Sequence, residues 1–220
     1  TSQDISSLQD DINKLTTWTN EWLIKLNINK CKVVSYGRNV DHSYHYYIND
    51  VQLEQLDSIS DLGVHFDSQL KFDIHIDEKI NKAYSFLGII KRNFTYLSTD
   101  AFITLYKSLV RPHLEYAVQV WSPYSVAYIK KIEKVQMRAT KQSSIKHLSY
   151  VERLKYLRLP TLHYRRIRGD MIMLFKTVTG IIDSNVSCKF ISLHSVTRGN
   201  IHKLAQKHVH YNLTKFSFTN

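Results

Sequence analysis

The sequence predicts an α+β fold, in which a small sheet with one N-terminal helix is followed by a mostly α-helical body. Before about residue 74, short β-rich runs alternate with turn residues; beyond it, apolar residues recur every three or four positions. The hydrophobic content is 43%, and the chain has only six Gly and three Pro. That composition is enough to bury a core and is untypical of disorder.

The first helix is predicted over residues 7–23, with Ser7 as its N-cap. Its apolar residues at helical spacing are Leu8, Ile12, Leu15, Trp18 and Trp22. Strand chemistry follows around an Asn-Lys turn in "IKLNINKCKVVSYG", then a hairpin at Asn49-Asp50, and one more short strand in "DLGVHFD". These elements form the predicted α+β unit.

Two helices open the second part of the chain. The first has a buried face of apolar residues, namely Ile76, Ile80, Ala83, Leu87 and Ile90. In the second, Phe102, Leu105 and Leu109 form the apolar face and Ser98 supplies the N-cap. Proline has no N–H to donate, so we expect Pro112 to kink or divide this helix.

A third helix, predicted over residues 125–141, separates apolar from charged residues. Its apolar stripe is Tyr128, Ile132, Val135 and Ala139, and its opposite face carries Lys130, Lys134, Arg138 and Lys141. Ser149 and Glu152 have capping-box spacing ahead of a short helix. The helix after Pro160 is expected to bury Tyr164, Ile167, Met171, Leu174 and Val178 and to stop at Gly180.

The charge of the chain is unevenly distributed. The formal net charge is +11; residues 1–75 carry six Lys/Arg against eleven Asp/Glu, whereas residues 76–220 carry twenty-four against eight. Phosphate polymers bind cationic surfaces because counterions are released. We therefore expect a polyanionic partner that binds the second part of the chain.

The sequence gives little support for a disulfide scaffold, a membrane span or a metal site. The chain has two isolated cysteines, no apolar run long enough to span a membrane, and a polar acidic start. We expect a soluble intracellular protein. The intervals between Cys188, His194, His202, His208 and His210 match no standard zinc spacing, so no metal site is expected. A start without Met and an end within a pattern suggest a fragment.

Several blocks resemble one enzyme family in collinear order. "LQDDINKLTTWTNEWLIKLNINKCKVVSYGR" resembles the segment after the catalytic motif of LINE-type, Jockey-like reverse transcriptases of non-LTR retrotransposons. The blocks "DLGVHFDSQLKFDIHIDEKINKAYSFLGIIKRNF", "LYKSLVRPHLEYAVQVWSPY", "IEKVQMRATK" and "HLSYVERLKYLRLPTLHYRRIRGDMIMLFK" resemble later segments of the same enzymes. The resemblance covers nearly the whole chain.

This resemblance implies that residues 1–72 are a distal palm remnant, 73–148 a helical thumb and 149–220 a C-terminal helical connector region. It also implies that the aspartates that hold Mg²⁺ precede Thr1. Paired Mg²⁺ ions stabilise the attacking and leaving oxygens in polymerisation, so the fragment is expected to hold no cofactor and to be inactive alone. The missing palm and fingers of the same polyprotein would be one partner.

Three features have an alternative to their family role. Lys30 matches a lysine beside the incoming nucleotide, a possible general acid in the intact enzyme, or it is a solvated turn residue. Gly63 matches the block that grips the primer terminus, or it occupies a strand bulge. Asp10-Asp11 resembles a catalytic pair, but acids in the first turn of a helix are favoured by the helix dipole.

The basic residues carry the main expectation. Between residues 130 and 168, twelve Lys and Arg stand against Glu133 and Glu152, with Asp170 just beyond; the twelve are Lys130, Lys131, Lys134, Arg138, Lys141, Lys146, Arg153, Lys155, Arg158, Arg165, Arg166 and Arg168. This imbalance favours phosphate contact over plain solubility. Lys91, Arg92 and Arg111 are weaker members of the set.

The sequence thus predicts a part of an RNA-directed DNA polymerase that cradles its RNA template and an RNA–DNA or DNA duplex without reading bases. A nuclear or cytoplasmic ribonucleoprotein is the expected location, with no membrane partner. Two alternatives stay open. The basic helices could be a repurposed module that binds an acidic protein, or the chain could be a decayed element without activity.

Overall fold

The computed structural model describes residues 2–37, 40, 42–94, 96–141, 145–183, 185–190, 203–206, 208–211 and 215–219. The chain forms two compact units, Thr1–Lys71 and Phe72–Asn220. Within the described residues, three two-stranded sheets lie in the first unit and the second consists mainly of helices. The predicted α+β class is confirmed, while the three-part domain division stays a prediction.

The first unit combines one long helix with short strands. Its elements are α1 (Ser2–Glu21), a 3₁₀ turn (Ile28–Lys30), β1 (Lys32–Val34), β2 (Tyr47–Ile48), β3 (Val51–Gln52), β4 (Glu54–Leu56), β5 (Ser58–Asp61) and β6 (Val64–Asp67). β1 pairs with β4 in parallel, whereas β2–β3 and β5–β6 are antiparallel. The Asn-Lys turn expected from the sequence is the 3₁₀ turn.

Two tight hairpins, β2–β3 and β5–β6, account for four of these strands. Asn49 and Asp50 have φ of 46° and 61°, which both central residues of a type I′ turn require. The predicted hairpin is therefore confirmed. The "DLGVHFD" segment is not one strand but the end of β5, a Leu62-Gly63 turn with φ of 44° and 80°, and β6. Gly63 consequently lies in a hairpin turn and not in a strand bulge.

The apolar residues that recur at helical spacing in α1 do not form its buried side. The side chains of Leu8, Leu15, Trp18 and Trp22 are all about half exposed or more, and Thr16 and Thr19 are buried instead. The side-chain amide of Gln9 explains the difference. Its Nε2 donates to the Tyr47 carbonyl at 2.9 Å, and its Oε1 accepts from the Tyr47 N–H at 3.0 Å.

The Gln9 amide therefore completes the backbone pairing of β2 and sets which face of α1 packs on the sheet. The prediction of Ser7 as N-cap is also wrong. The helix begins at Ser2, five residues earlier, so Ser7 lies within it.

The described helices of the second unit are α2 (Asp73–Asn93), α3 (Thr99–Leu105), a π-helical turn (Tyr106–Val110), α4 (Arg111–Glu115), α5 (Val118–Trp121), α6 (Val126–Ala139), α7 (Tyr150–Tyr156) and α8 (Leu162–Val178). All five residues predicted to form the apolar stripe of α2 are buried, which confirms that stripe. The Ser98 cap of α3 is confirmed by a hydrogen bond from the Ala101 N–H.

Pro112 neither ends its helix nor leaves it regular. The chain stays helical from α3 to α4 through the π turn, and the Arg111 N–H donates to the Tyr106 carbonyl five residues earlier. Insertion of one residue is a usual way for a helix to accommodate a local interruption. The wider turn also changes which residues are buried.

With one residue added, four-residue steps stay on one face of the helix. The buried side chains are accordingly Phe102, Tyr106, Val110 and Leu114. The predicted stripe is right for Phe102 and wrong for Leu109, which is 37% exposed. The π turn could not be derived from apolar spacing alone, since that spacing assumes a regular helix.

The capping box of α7 is confirmed. Ser149 Oγ accepts from the Glu152 N–H, and the Ser149 N–H donates to Glu152 Oε2 at 2.8 Å. These bonds, together with the charge of Lys155 and His147, lower the pKa of the Glu152 carboxyl below its ordinary value, the hydrogen bonds being the larger cause.

The predicted buried face of α8 is wrong. Tyr164, Ile167 and Met171 are exposed, and the residues buried against the unit are Leu162 and Arg166. Thr161 caps the helix by accepting from the Tyr164 N–H at 3.1 Å. Polar contacts at the start of α8, described below with α6, set its rotation in place of the apolar stripe.

A buried amide joins four segments of the second unit. Gln136 of α6 is 1% exposed. Its Oε1 accepts from the Tyr106 hydroxyl at 2.7 Å, and its Nε2 donates to the Tyr150 hydroxyl at 3.1 Å and to the Pro160 carbonyl at 3.0 Å. Burial is the main reason why the pKa of Tyr106 is raised above its ordinary value.

Replacement of Gln136 by Leu should lower the free energy of unfolding by about 1–3 kcal/mol, because the buried Tyr106 hydroxyl and the Pro160 carbonyl lose their partner. Urea unfolding followed by circular dichroism measures the change. Gln52→Leu, at an exposed position in β3, is the matched control and should change stability by less than about 0.5 kcal/mol. Equal losses in the two variants would contradict the network.

Candidate nucleic-acid interface

The outward face of α6 is cationic. Lys130, Lys134 and Arg138 are exposed at four-residue steps, and Lys141 is exposed just past the end of the helix. We call these four residues the α6 face. The opposite side of the helix buries Ile132, Val135 and Ala139, as predicted. Periodicity of 3.6 residues per turn explains the separation.

The α6 face is also free of neutralising acids. Among the described residues, none of its four cations forms an ion pair. Lys130 and Arg138 are eight residues apart, which at 1.5 Å per residue is about 12 Å along the helix. The arrangement is a row of unpaired positive charges on a rigid element, as phosphate binding requires.

Helix α2 lies along one flank of α6 in parallel orientation. Asp77 of α2 forms an ion pair with Lys131, and seven residues further on both helices the Arg138 guanidinium lies 5.3 Å from the centre of the Tyr84 ring. Two contacts at the same offset of residues indicate that the helices run in the same direction. Both residues of the predicted pair Lys91-Arg92 are exposed at the C-terminal end of α2.

The other flank of α6 holds α8. Glu133 accepts hydrogen bonds from the N–H groups of Leu162 and His163, at 3.3 and 3.2 Å, and from the Tyr150 hydroxyl. A carboxylate at a helix N-terminus satisfies N–H groups that have no partner inside the helix and gains from the helix dipole. Burial and this hydrogen bond to Glu133 raise the pKa of Tyr150 above its ordinary value.

Two of the predicted interface residues contact a shared carboxylate. Arg165 Nε and Nη2 both donate to Glu115, the latter at 2.9 Å, and Arg111 Nε lies 3.5 Å from the same carboxylate. The hydrogen bond that Arg165 donates to Glu115 is the main reason why the pKa of Arg165 is raised. Arg165 thus joins α8 to α4, whereas the Arg111–Glu115 pair lies within α4, and the two cations share one carboxylate.

Two further cations are buried. Arg153 is 4% exposed and donates to Thr140 Oγ1 and to the carbonyls of Leu148 and Met137. Arg166 is 3% exposed, and neither of its terminal nitrogens has a hydrogen-bond partner in the described structure. The expectation that the twelve cations form one surface is therefore wrong for these two residues.

Burial is the main cause of a lowered pKa for the Arg166 guanidinium, which nearby Glu133, Asp170 and Glu115 oppose. Asp170 has a buried carboxylate oxygen without a hydrogen bond, and burial raises its pKa despite the nearby Arg166. Arg166 lies inside the unit and is not kept in the interface considered below. The other cations of the set are exposed on other segments, namely Lys146, Lys155, Arg158 and Arg168.

The predicted residues of the first unit lie at turns. Lys30 is exposed at the end of the 3₁₀ turn, and Gly63 lies in the β5–β6 turn. Lys32, two residues after Lys30, is directly opposite Glu54 in the parallel pairing of β1 and β4 and forms an ion pair with it. The roles of Lys30 and Gly63 beside a nucleotide or primer stay predictions.

The adjacent acids Asp10 and Asp11 do not fit a catalytic magnesium site. Asp10 and Asp11 are neighbours within α1, so their side chains diverge, and Asp11 forms an ion pair with Lys14 at 3.0 Å. No cluster of three His, Cys, Asp or Glu in the described part of the chain is arranged to hold a metal. His194 and His202, two of the residues considered for zinc, lie outside the described residues.

Of the helices that are described, none is both long and apolar enough to cross a bilayer. Sequence reasoning missed the residues that flank the cations of α6. Asp77 and Tyr84 gave no signal, because each acts on a helix distant in sequence. Glu133 is an isolated acid among lysines, which could have marked it as a flank residue that faces other helices.

The sequence is similar to three RNA-directed DNA polymerases of insect transposons. It is 26% identical over 141 residues to the "Probable RNA-directed DNA polymerase from transposon X-element" of Drosophila melanogaster, which is 61% of this chain and 15% of that protein. The "RNA-directed DNA polymerase from mobile element jockey" is 28% identical over 144 residues in Drosophila funebris and 26% over 146 residues in Drosophila melanogaster.

Each jockey match covers 63% of this chain and 15–16% of the relative. The matched part of the chain thus corresponds to less than a fifth of the length of these relatives. No family model matches the sequence, and no solved structure matches the chain. The relatives confirm the predicted resemblance to Jockey-like, non-LTR reverse transcriptases.

Two neighbouring arginines of α8 should respond in opposite ways to replacement by Met. Arg165→Met should lower the free energy of unfolding by about 1–2 kcal/mol, because a partly buried Glu115 loses its main partner. Arg166→Met should leave stability unchanged or raise it by about 1 kcal/mol, because both terminal nitrogens of the buried guanidinium lack a hydrogen-bond partner in the described structure. Thermal and urea unfolding of the two variants side by side test the order. A less stable Arg166→Met variant would contradict it.

Proposed function

We propose that this chain, a piece similar to the RNA-directed DNA polymerases of the jockey and X-element transposons, holds a nucleic-acid duplex through phosphate contacts on the α6 face. The resemblance makes an RNA template and its cDNA the natural partners. The observation that carries the proposal is the row of exposed cations, without ion-pair partners in the described structure, on α6. Charges of this kind give affinity without reading the base sequence.

Contacts on the other sides of α6 keep these charged side chains on the outer surface of the unit. Gln136 and Glu133, on the side that faces α7 and α8, are held by hydrogen bonds to other segments. A rotation of α6 that turned its cations inward would break those bonds, and a buried polar group that loses its partner costs about 1–3 kcal/mol. The cationic row is therefore part of the folded structure.

Under this proposal, the chain by itself does not polymerise DNA. The resemblance places the Mg²⁺-binding aspartates of such enzymes outside the segment that matches, and Asp10 and Asp11 do not fit that role. Lys30 would contribute only with a complete active site. The chain's own part is to bind and orient the duplex.

Binding should depend steeply on salt and on the α6 face. Each phosphate that is neutralised contributes about 0.9 to the log–log salt slope for B-DNA, so four contacts would give a slope of roughly 3 to 4 in magnitude. Lys134→Ala should weaken binding of an RNA–DNA hybrid several-fold and reduce the slope by about 1. Fluorescence anisotropy with a labelled hybrid, at several salt concentrations, measures both quantities.

Lys25→Ala is the matched control, because it removes one exposed lysine from the first unit, and it should leave the slope unchanged. If the chain binds no hybrid even at low salt, the proposal is overturned. Equal effects of the two variants would reduce it to general charge attraction. Binding of an acidic protein with no binding of nucleic acid would favour the repurposed interaction module.

A primer-extension assay tests the catalytic part of the proposal. With an RNA template, a DNA primer, dNTPs and Mg²⁺, the chain should extend no primer above the background of a Lys30→Ala variant, since the metal-binding carboxylates are expected elsewhere. Extension that depends on Mg²⁺ and is lost in Asp10→Asn/Asp11→Asn would show that the chain holds its own metal site.

A further inference from the structure

Helix α2 places carboxylates beside only one half of α6. Asp73 and Asp77 lie in the first two turns of α2. Because α2 and α6 run parallel, this acidic end lies beside the N-terminal half of α6. At the same offset of 54 residues, Lys91 and Arg92 fall beyond the end of α6 at Ala139, so the seam between the two helices is acidic only along that first half.

The acidic end neutralises one cation of α6. The Lys131 ammonium donates a hydrogen bond to Asp77 Oδ1, and this bond is the main cause of its raised pKa. Burial raises the pKa of the neighbouring Tyr128, and the charges of Asp73 and Asp77 add to the rise. A phosphate that approached this half of α6 would meet both the paired lysine and two carboxylates.

The other half of the seam keeps its charge. The Arg138 guanidinium lies over the Tyr84 ring at 5.3 Å, a contact that holds the group by its face. Such a contact orients the guanidinium without neutralising it, and it leaves the N–H groups at the edge available for phosphate oxygens. Restricting a flexible side chain before binding also reduces the entropy lost on binding.

We propose that α2 confines phosphate binding to the cations in the C-terminal half of α6 and just past its end, with Asp77 pairing with Lys131 in the other half and Tyr84 acting as the positioning residue for Arg138. This inference rests on the proposed function and makes it more specific. The ligand chemistry is the phosphate of a nucleic-acid backbone. Arg138, Lys134 and Lys141 make the contacts, and Lys131 makes none while Asp77 is present.

A double-mutant cycle on Asp77 and Lys131 tests the first part, with anisotropy of a labelled RNA–DNA hybrid across salt concentrations. Lys131→Ala alone should change affinity by less than about twofold, whereas Arg138→Ala should weaken binding several-fold and reduce the salt slope by about 1. Asp77→Asn should tighten binding of the hybrid and steepen the salt slope by about 1. The double variant Asp77→Asn/Lys131→Ala should show neither the tighter binding nor the steeper slope.

Asp100→Asn is the matched control, because it removes one exposed acid from α3 and changes the net charge equally. It should not steepen the slope. If Asp77→Asn and Asp100→Asn behave alike, or if Lys131→Ala weakens binding as much as Arg138→Ala, the inference is overturned while the proposed function stands. If the unmodified chain retains no hybrid at low salt, both are overturned.

Tyr84 is tested by ring replacement. Tyr84→Phe keeps the aromatic face and should bind the hybrid as the unmodified chain does, whereas Tyr84→Leu should weaken binding several-fold. In an Arg138→Ala background, Tyr84→Leu should have no further effect, which a merely structural role would not explain. Tyr156→Leu, at an exposed tyrosine of α7, serves as control. An additional loss from Tyr84→Leu in that background would overturn the positioning role.

Discussion

The buried amide of Gln136 is the interaction on which the arrangement of the helical unit depends. It takes a hydrogen bond from Tyr106 in the π turn and gives two, to Tyr150 of α7 and to the Pro160 carbonyl before α8. An amide in an apolar core stabilises a fold only when its hydrogen-bonding groups have partners. The Gln136 amide reaches its three partners in only one rotation of α6. That rotation places Ile132 and Val135 inside and the cations of α6 outside. The surface proposed for nucleic acid is thus a consequence of a buried polar contact.

The basic residues of the second unit serve two physical purposes. Some are internal: Arg153 satisfies carbonyls near the ends of α6 and α7, and Arg165 joins α8 to Glu115. Others, on the α6 face, are exposed and form no ion pair in the described structure. A guanidinium suits the internal role because its planar donors can satisfy several oxygens at once. A count of positive charge therefore overestimates the surface available to phosphate.

Helices α2 and α8 limit that surface from opposite flanks of α6. On one side Asp77 compensates Lys131, and on the other Glu133 is committed to the N-terminus of α8. Neither acid can be recognised as a neighbour of α6 from the spacing of charges along a single helix. The resemblance to reverse transcriptases is the reason to propose a duplex-binding surface. The contacts of α6 with α2 and α8 limit how far that proposed surface extends. Lys30 and Gly63 belong to the first unit, where both lie at exposed turns. Their roles beside a nucleotide or primer stay predictions.

Local features were within reach of the sequence. The stripe of α2, the Asn49-Asp50 turn, the capping box at Ser149 and the outward charges of α6 each depend on residues within a few positions of one another, where helical periodicity and backbone preference decide the outcome. The buried faces of α1 and α8 and the placement of Arg166 were decided by the tertiary structure. There, hydrogen bonds to distant partners, Gln9 with Tyr47 and Glu133 with the start of α8, set the rotation of a helix against its apolar stripe. Such bonds join residues tens of positions apart, so no pattern within a single segment contains them.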